Sequence, residues 1–561
     1  MSNAADTATG HQGSAELLAE FRSQLAGRMR QAGLSDERLG KRIGFDRTTV
    51  NKVRNGLLEP SPQFAQKLRE EFGQTLWKLW SAWDAATRDD QAEAETAQQR
   101  KTQPQADTLP ATALWPARKL ATVEFIAWVA DRCDLGFQRI YDAVVSRVEE
   151  LEAVTPAVRY EQAHRRGKVS QAQLAGALAA YYRNPCPAEV DAGFYQARIG
   201  GVPLSLSILV RPGWLNAAVR LATDQERFRL DAAPDPLGSP LDEAALQAAV
   251  ARLADVEIAG TVFVNNPLYR LVNIAIAPNR LDATVAPADF ASYALTMDLL
   301  ETELVNALTT NGSQLSSLDP THLRTRLPLR DAYLPTLDAA LGMSDRLCVG
   351  GPVALLAIAR PSRRGRNHPD FVLLVQERSA RVLNVTGKLA TVPKAFHEPT
   401  VELAGEASLS ASLERELEEE LLGRQDLEQL SATSHRQADP LHPDRLSEPM
   451  RWLLDRAHTD TYRVECLGFG INMVTGNYEF PCLIVIDDEE WWARYGGQVQ
   501  ANWEIARIHC YSSRDTAGLQ TLAVDPRWSN EGLFAFLEGL RRLAQLDTGS
   551  RLALPHIEVG M

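Results

Sequence analysis

Residues 34–73 read LSDERLGKRIGFDRTTVNKVRNGLLEPSPQFAQKLREEFG, and this stretch decides how the N-terminal part of the chain folds. Ser35 is suited to cap a helix, because its hydroxyl can accept a hydrogen bond from the first helical turn. Apolar Leu39 and Ile43 follow with the spacing of one helix face. Gly44 begins a short turn, so the pattern predicts a first short helix that ends there.

A second helix is predicted directly after this turn. Asp46 can cap it, and Val50 and Val53 lie three positions apart, which places both on its inner face. Gly56 ends this helix, and a further helix begins after Pro60. Two short helices across a tight turn form a helix-turn-helix, which lays its second helix in the major groove of DNA.

This block resembles the Cro/lambda-repressor-like helix-turn-helix family, also called XRE-type. The features that agree in order are Leu39-Gly40, Gly44, Thr49-Val50, Arg54-Asn55-Gly56 and Pro60. The resemblance implies an all-α head that binds double-stranded DNA, as a homodimer at paired half-sites. The alternative is a small helical hairpin that contacts another protein.

Because Val50 and Val53 face inward, the opposite face of the second helix points outward. It carries Arg47, Thr48, Asn51 and Lys52, in the turns where side chains reach base edges. Arg and Lys suit guanine, and Asn suits adenine. Basic residues on the flanks are predicted to contact phosphates, and these are Arg38, Lys41, Arg42 and Arg54. For any one of these residues, a solvated surface charge is the alternative interpretation.

The composition is that of an ordinary globular protein, with 561 residues, 45% apolar residues and a net charge of −13. Residues 15–73 nevertheless hold 11 Lys and Arg against 8 Asp and Glu, so the DNA-binding stretch is positive and the rest is acidic. Local charge decides the attraction to phosphate, because salt screens interactions beyond about 10 Å. The six cysteines have no metal-finger or CxxC spacing, and there is neither a signal sequence nor a membrane-spanning run. We therefore expect a cytoplasmic protein with free thiols and no contact with a membrane.

Composition and periodicity predict a multidomain chain. Its segments are an all-α helix-turn-helix head at 14–84, a flexible linker at 85–118, an α+β middle domain at 119–321 and an α/β domain at 322–555. Within the head, Trp77, Trp80 and Trp83 lie at helical spacing, which favours core packing or a dimer contact. The middle domain carries a predicted strand at 256–264, a predicted helix at 290–308 and no catalytic signature.

A second informative stretch lies in the C-terminal region. Leucines repeat every four residues from Leu409 to Leu421, which predicts a helix over 408–422. Neighbouring glutamates on one helix turn can hold Mg²⁺ through their carboxylate oxygens. The run RELEEE at 415–420 resembles the Nudix box, the Mg²⁺-binding element of hydrolases that act on nucleoside diphosphate derivatives. The resemblance implies a Nudix-like domain in which Arg415 orients the first glutamate, and the metal ligands would be Glu416, Glu419 and Glu420.

This box departs from the family pattern at its glycines. The glycine pair expected near Lys394-Ala395 is absent, and Gly423 lies one position late. The fold can survive these changes more easily than a hydrolase site can, so we assign no catalytic residue. Lys394 and His397 are candidate contacts to the phosphates of a ligand. A charged amphipathic helix with a solvated glutamate face is the alternative interpretation.

These features predict a sequence-specific DNA-binding transcription regulator. Its C-terminal region would sense a nucleotide-like small molecule or mediate assembly, and Mg²⁺ is the cofactor for which the box provides a candidate site. As a whole the chain resembles long actinobacterial regulators that join such a head to a Nudix-like tail. Two alternatives stay open, namely an Mg²⁺-dependent Nudix-type hydrolase of a nucleoside diphosphate derivative and a protein-interaction scaffold.

Overall fold

The computed structural model divides the chain into two compact units, residues 1–116 and residues 117–561. The residues that the structure describes are 14–32, 34–45, 47–54, 60, 62–72, 75–76, 78–80, 120–133, 135–154, 169–183, 191–233, 236–237, 241–261, 263–311, 320–362, 368–378, 387–399, 403, 407–422, 446–499, 505–546 and 549–560. The predicted linker at 85–118 lies outside these residues.

The N-terminal unit is helical. Its helices are α1 (Ser14–Gln31), α2 (Asp36–Ile43), α3 (Arg47–Arg54) and α4 (Pro62–Phe72). The Ser35 hydroxyl accepts a hydrogen bond from the Arg38 amide at 3.3 Å, which confirms the predicted cap of α2. Gly44 ends α2 with φ at 76°, a left-handed conformation that glycine adopts without strain. The other predicted boundary residues of α3, Asp46 and Gly56, lie outside the described residues.

The core of this unit is built from one face of each helix. Val50 and Val53 of α3 are buried, as their spacing predicts. They pack with the α1 residues Phe21 and Leu25 in a single apolar cluster. Further members of this cluster are Leu39, Ile43, Phe64, Ala65, Leu68, Leu76 and Trp80. Burial of one face of α3 therefore leaves the opposite face at the surface.

The C-terminal unit is organised around a large mixed sheet. The bounds of the strands in this sheet are β1 (Gly193–Ile199), β2 (Val202–Val210), β3 (Leu215–Arg220), β7 (Gly350–Arg360), β8 (Asp370–Arg378), β9 (Leu389–Thr391), β10 (Tyr462–Gly468), β11 (Gly470–Asn472), β12 (Asn477–Ile486), β13 (Ile505–Ser512) and β14 (Ile557–Gly560). They run in the order β13-β8-β7-β12-β11-β2-β1-β14, while β10 pairs with β12 and β3, and β9 pairs with β8. The central pair β7–β12 is parallel. A second, smaller sheet has the order β4-β6-β5, with β4 (Glu226–Leu230), β5 (Pro267–Ala277) and β6 (Arg280–Asp289).

The C-terminal unit also contains helices. In chain order they are α5 (Val123–Asp131), α6 (Phe137–Ala153), α7 (Gln171–Tyr181), α8 (Glu243–Ala259), α9 (Phe290–Ala294), α10 (Leu299–Asn311), α11 (Pro320–Arg326), α12 (Pro328–Tyr333), α13 (Leu337–Leu341), α14 (Leu409–Glu416), α15 (Glu448–Leu454), α16 (Glu489–Tyr495), α17 (Thr516–Ala523) and α18 (Asn530–Leu543). Short 3₁₀ turns lie at Pro212–Trp214, Met343–Asp345 and Gly549–Arg551. None of the described helices is long and apolar enough to cross a membrane.

Strand β7 shows how the two faces of the sheet are covered. Successive side chains of a strand point to opposite faces. Leu355 therefore packs in the same core as Phe534 of α18. Its neighbour Leu356 joins the core that contains Leu413 of α14. Every residue of β7 except Arg360 is buried, as expected for a strand covered on both faces.

Two predicted elements of the middle region differ from the structure. The strand predicted at 256–264 is wrong, because α8 runs through Ala259. Asp242 caps this helix by accepting from the Ala245 amide at 2.7 Å, and Gly260 ends it with φ at 61°. The helix predicted at 290–308 is interrupted between α9 and α10, where buried Asp298 bonds with other side chains.

The predicted boundary between residues 321 and 322 falls inside one compact unit. Strand β2 from the N-terminal side of this boundary pairs with β11, and β3 pairs with β10. The sheet order therefore requires residues from both sides. The fold class is multidomain, with a helical N-terminal unit and a large mixed-sheet unit.

Candidate functional site

The outward face of α3 is the first candidate site. Arg47 and Lys52 are exposed, and Asn51 is half-buried. The side chain of Thr48 is outside the part of the chain that the structure describes. The arrangement places two cations and an amide on one surface of the helix, opposite Val50 and Val53.

Asn51 is held by a residue of the neighbouring helix. Its Nδ2 donates a hydrogen bond to Oδ2 of Asp36, the first residue of α2, at 2.8 Å. Arg54 contacts the same carboxylate, since its Nη2 donates to Oδ2 at 3.0 Å and its Nε lies 3.0 Å from Oδ1. The predicted base-reading residue Asn51 and the predicted phosphate contact Arg54 therefore share one acidic partner, which sequence analysis did not identify.

Two other predicted phosphate contacts are also paired with carboxylates. Lys41 Nζ lies 2.8 Å from Glu37 Oε1, and this exposed hydrogen bond lowers the pKa of Glu37. Arg42 Nη1 lies 2.7 Å from Glu71 Oε1 of α4. Arg38 is exposed on the same helix. DNA phosphate would have to compete with these carboxylates, which weakens binding that depends on charge alone.

The tryptophan-rich segment contributes to the core of the head. Trp80 is buried, and its indole N–H donates to the carbonyl oxygen of Pro60 at 2.8 Å. This contact agrees with the core-packing interpretation for Trp80. Trp77 and Trp83 lie outside the described residues.

The second candidate site is the predicted metal-binding helix. Helix α14 is regular to Glu416 and continues as a π-helix at Leu417–Leu421. The repeating leucines Leu409, Leu413, Leu417 and Leu421 are all buried in one core. A four-residue repeat drifts around a helix of about 3.6 residues per turn, and the wider π turn keeps the later leucines facing inward.

The glutamates of this helix make several separate contacts. Glu420 Oε1 accepts from Arg378 Nη1 at 3.4 Å, and its Oε2 accepts from the Lys394 amide at 3.2 Å. Glu418 accepts from the amide and the hydroxyl of Ser447 at 2.5 and 2.6 Å. Among the described residues, no three carboxylates, imidazoles or thiols come together as a metal site. The assignment of Mg²⁺ to Glu416, Glu419 and Glu420 stays a prediction.

Arg415 is also engaged elsewhere. It is buried, with Nη1 donating to the Glu398 carbonyl at 3.2 Å and Nη2 donating to Glu398 Oε1 at 3.1 Å. Its Nη2 lies farther, at 3.8 Å, from Glu416 Oε1. The geometry thus ties Arg415 more closely to Glu398 than to the first glutamate of the box.

Lys394 lies in a buried network with residues that sequence analysis missed. Its Nζ lies 2.6 Å from Glu531 Oε1 at the start of α18. Asn472 Nδ2 bridges Glu531 Oε2 at 3.4 Å and Glu479 Oε1 at 3.3 Å. The sequence does contain a sign of this network, because the charged residue Glu479 interrupts the apolar sequence of β12.

The two carboxyl groups of this network have opposite pKa shifts. Burial, together with the nearby charge of Glu531, raises the pKa of Glu479 to about 8. Burial alone would also raise the pKa of Glu531, but the Lys394 ammonium lowers it below its usual value. At neutral pH the pair therefore holds one proton and one negative charge, and the Lys394 ammonium favours the charge on Glu531.

His397 is buried among aromatic side chains. Its Nδ1 lies 3.2 Å from Tyr478 Oη, and its ring lies 4.6 Å from that of Tyr269 and 5.0 Å from that of Phe228. Its Nε2 has no hydrogen-bond partner among the described residues. Burial, assisted by the Arg415 charge, lowers the pKa of His397 to about 3, so the imidazole is neutral at physiological pH.

Comparison with protein families gives a match within the N-terminal head. Residues 26–76 match the model of the family described as Helix-turn-helix. The match covers α2, α3 and α4 and supports a DNA-binding regulator. No curated protein matches the chain.

Proposed function

We propose that the protein is a site-selective transcription regulator that lays α3 in the major groove of DNA. The observation that carries this proposal is the α2–turn–α3 unit, whose buried Val50 and Val53 leave a basic and amide-bearing face outward, within a segment that matches the helix-turn-helix family. Helices presented in this way place side chains against base edges.

The proposed contacts fall into two classes. Arg47, Asn51 and Lys52, with Thr48, read base edges, because Arg and Lys suit guanine and Asn suits adenine. Arg38, Lys41 and Arg42 contact phosphates and set the position of the helix. Since DNA must displace Glu37 from Lys41 and Glu71 from Arg42, nonspecific binding is weak and base contacts decide affinity. The regulator acts as a homodimer, because paired half-sites match a two-fold symmetric protein.

We further propose that the C-terminal unit responds to a nucleotide-like ligand. The buried network of Lys394, Glu479 and Glu531 supports this, because strongly shifted pKa values cluster at functional sites more often than elsewhere. Binding would alter DNA affinity through a ligand that prefers one of two states of the protein. A nucleoside diphosphate that raises the melting temperature of the wild type, but not of Glu531→Gln, would support this proposal.

The experiment that tests the main proposal is selection of bound fragments from sheared genomic DNA at about 150 mM salt, which suppresses nonspecific binding. We expect enrichment of inverted repeats. Arg47→Ala and Asn51→Ala should each remove about 1–3 kcal/mol of discrimination between the selected site and altered sites. Lys41→Ala should instead weaken binding to all DNA about equally. Enrichment no greater than that of an Arg47/Asn51 double-alanine variant would refute the proposal.

A further inference from the structure

We propose that Asp36 is a positioning residue that sets the orientation of the Asn51 amide for adenine recognition. This inference rests on the proposed DNA-binding function and deepens it. Asp36 lies at the first position of α2, while Asn51 lies on α3, so the contact joins the two helices of the motif. A single oxygen, Oδ2 of Asp36, accepts from both Asn51 Nδ2 and Arg54 Nη2.

The chemistry of the asparagine amide makes this contact informative. Recognition of adenine uses Oδ1 as an acceptor from the N6 amino group and one N–H as a donor to N7. The amide carries a second N–H, and a carboxylate can bind that hydrogen without using either of the others. With the amide rotated by half a turn, Oδ1 would face the carboxylate and two acceptors would repel each other. Asp36 therefore fixes which side of the amide presents the donor.

Arg54 holds the carboxylate in place. Its Nη2 donates to Oδ2 at 3.0 Å and its Nε lies 3.0 Å from Oδ1, so this ion pair restrains the carboxylate. The pair is partly shielded, since the side chains of Asp36 and Arg54 are 13% and 33% exposed. The guanidinium also offsets the negative charge that would otherwise repel DNA phosphate. Arg54 therefore supports Asn51 through Asp36, in addition to its predicted contact with a DNA phosphate.

The test measures affinity for two DNA duplexes by fluorescence anisotropy with the full-length protein. One duplex carries the selected site, and the other has a substitution at the base pair whose preference Asn51→Ala relaxes. We expect Asp36→Ala to reduce the affinity ratio between these duplexes about tenfold, as for loss of a well-placed base contact. In the Asn51→Ala background, Asp36→Ala should change the ratio less than about twofold, because the effect passes through Asn51.

Two further variants separate positioning from folding. Asp36→Asn keeps an oxygen that accepts from Asn51, so it should restore most of the ratio although it loses the ion pair with Arg54. Asp36→Ser suits a helix N-terminus but is too short to reach Asn51. It should therefore keep the protein folded and reduce the ratio about tenfold, even if Asp36→Ala unfolds. Glu37→Ala is the matched control, since it removes a carboxylate from the same turn and should leave the ratio unchanged.

Failure of the positioning role and failure of the DNA-binding function give different results. If the wild type selects no site, the regulator itself is refuted. If the wild type selects a site and Asp36→Ala and Asp36→Ser retain its full ratio, or lose affinity equally for both duplexes, the positioning role is wrong while the regulator stands. A reduced ratio that Asp36→Asn restores supports the role.

Discussion

At the scale of single residues, the sequence predicts faces of helices better than it predicts partners. The burial of Val50 and Val53 follows from their spacing and is confirmed. The contact of Asp36 with Asn51 could not be predicted, because it joins residues 15 positions apart and depends on how two helices pack. The same limit applies to Lys394, whose pairing with Glu531 brings a predicted loop against a helix far along the chain.

The buried carboxyl of Glu479 predicts a specific dependence of stability on pH. Because its folded pKa of about 8 is above the ordinary value, the folded state keeps a proton that the unfolded state has lost. Its contribution is complete below about pH 4.5 and is lost as pH rises toward 8. His397 has the opposite effect on stability, because its pKa is lowered in the folded state. This effect is confined to pH values below about 6.5, the ordinary pKa of histidine. Between about pH 6.5 and 8 the imidazole no longer contributes, and Glu479 acts together with Glu414, whose pKa burial raises to about 7.

Glu479→Gln should flatten this dependence, because glutamine stays neutral and can still accept from Asn472. We expect the fall in unfolding free energy over this window to shrink by up to about 1.4 kcal/mol per pH unit. Urea unfolding at a series of pH values measures it. Glu124→Gln removes an exposed carboxyl and serves as the control. An unchanged slope in Glu479→Gln would show that Glu479 is ionised in the folded protein.

At the scale of elements, the wrong prediction at 256–264 shows how tertiary packing overrides local preference. Val256 and Ile258 are β-branched and favour a strand. The cap at Asp242 and the left-handed Gly260 nevertheless define a helix between them. Leu253 and Ala254 of that helix are buried against α6, so packing of the helix face outweighs the strand preference of its last turn. The two capping residues were the missed signals.

Strand β7 provides the prediction at this scale. Beside Gly351, the segment that carries Lys394 and His397 pairs with the strand, as the Ala395 amide bonds to the Pro352 carbonyl at 3.1 Å. A Cβ added to Gly351 would overlap the Ala395 carbonyl oxygen. Gly351→Ala should therefore lower the unfolding free energy of the C-terminal unit by about 1–3 kcal/mol or more.

The urea midpoint followed by tryptophan fluorescence measures the effect of Gly351→Ala. Gly497→Ala is the matched control, because no heavy atom of the described residues, its chain neighbours aside, lies within 4 Å of a Cβ added there. If both variants unfold at the wild-type urea concentration, the backbone at Ala395 moves aside freely, and the close approach of this segment to β7 is not a constraint on the fold.

At the scale of the whole molecule, the predicted head lies within one compact unit, and the predicted boundary at 321/322 falls inside the other. Composition distinguishes the head from the rest of the chain, because the helical spacing of apolar residues stops after it. The predicted boundary at 321/322 does not separate two packed regions, because strands from both sides of it pair in one sheet. Tyr195 of β1, for example, donates to Glu538 of α18 at 2.6 Å, and both are buried. A long-range sheet of this kind is set by packing on both faces rather than by local periodicity.

Truncation tests this organisation. Residues 117–561 should unfold cooperatively by circular dichroism, because they keep the entire sheet and both of its cores. Residues 322–561 should lack a cooperative transition and be digested rapidly by protease. Without residues 193–220 they would expose Phe534 and Leu537 of α18, which pack in one core with Tyr195 and Ile199 of β1. Cooperative unfolding of the 322–561 fragment would instead favour the predicted independent C-terminal domain, with the first three strands as an addition to its edge.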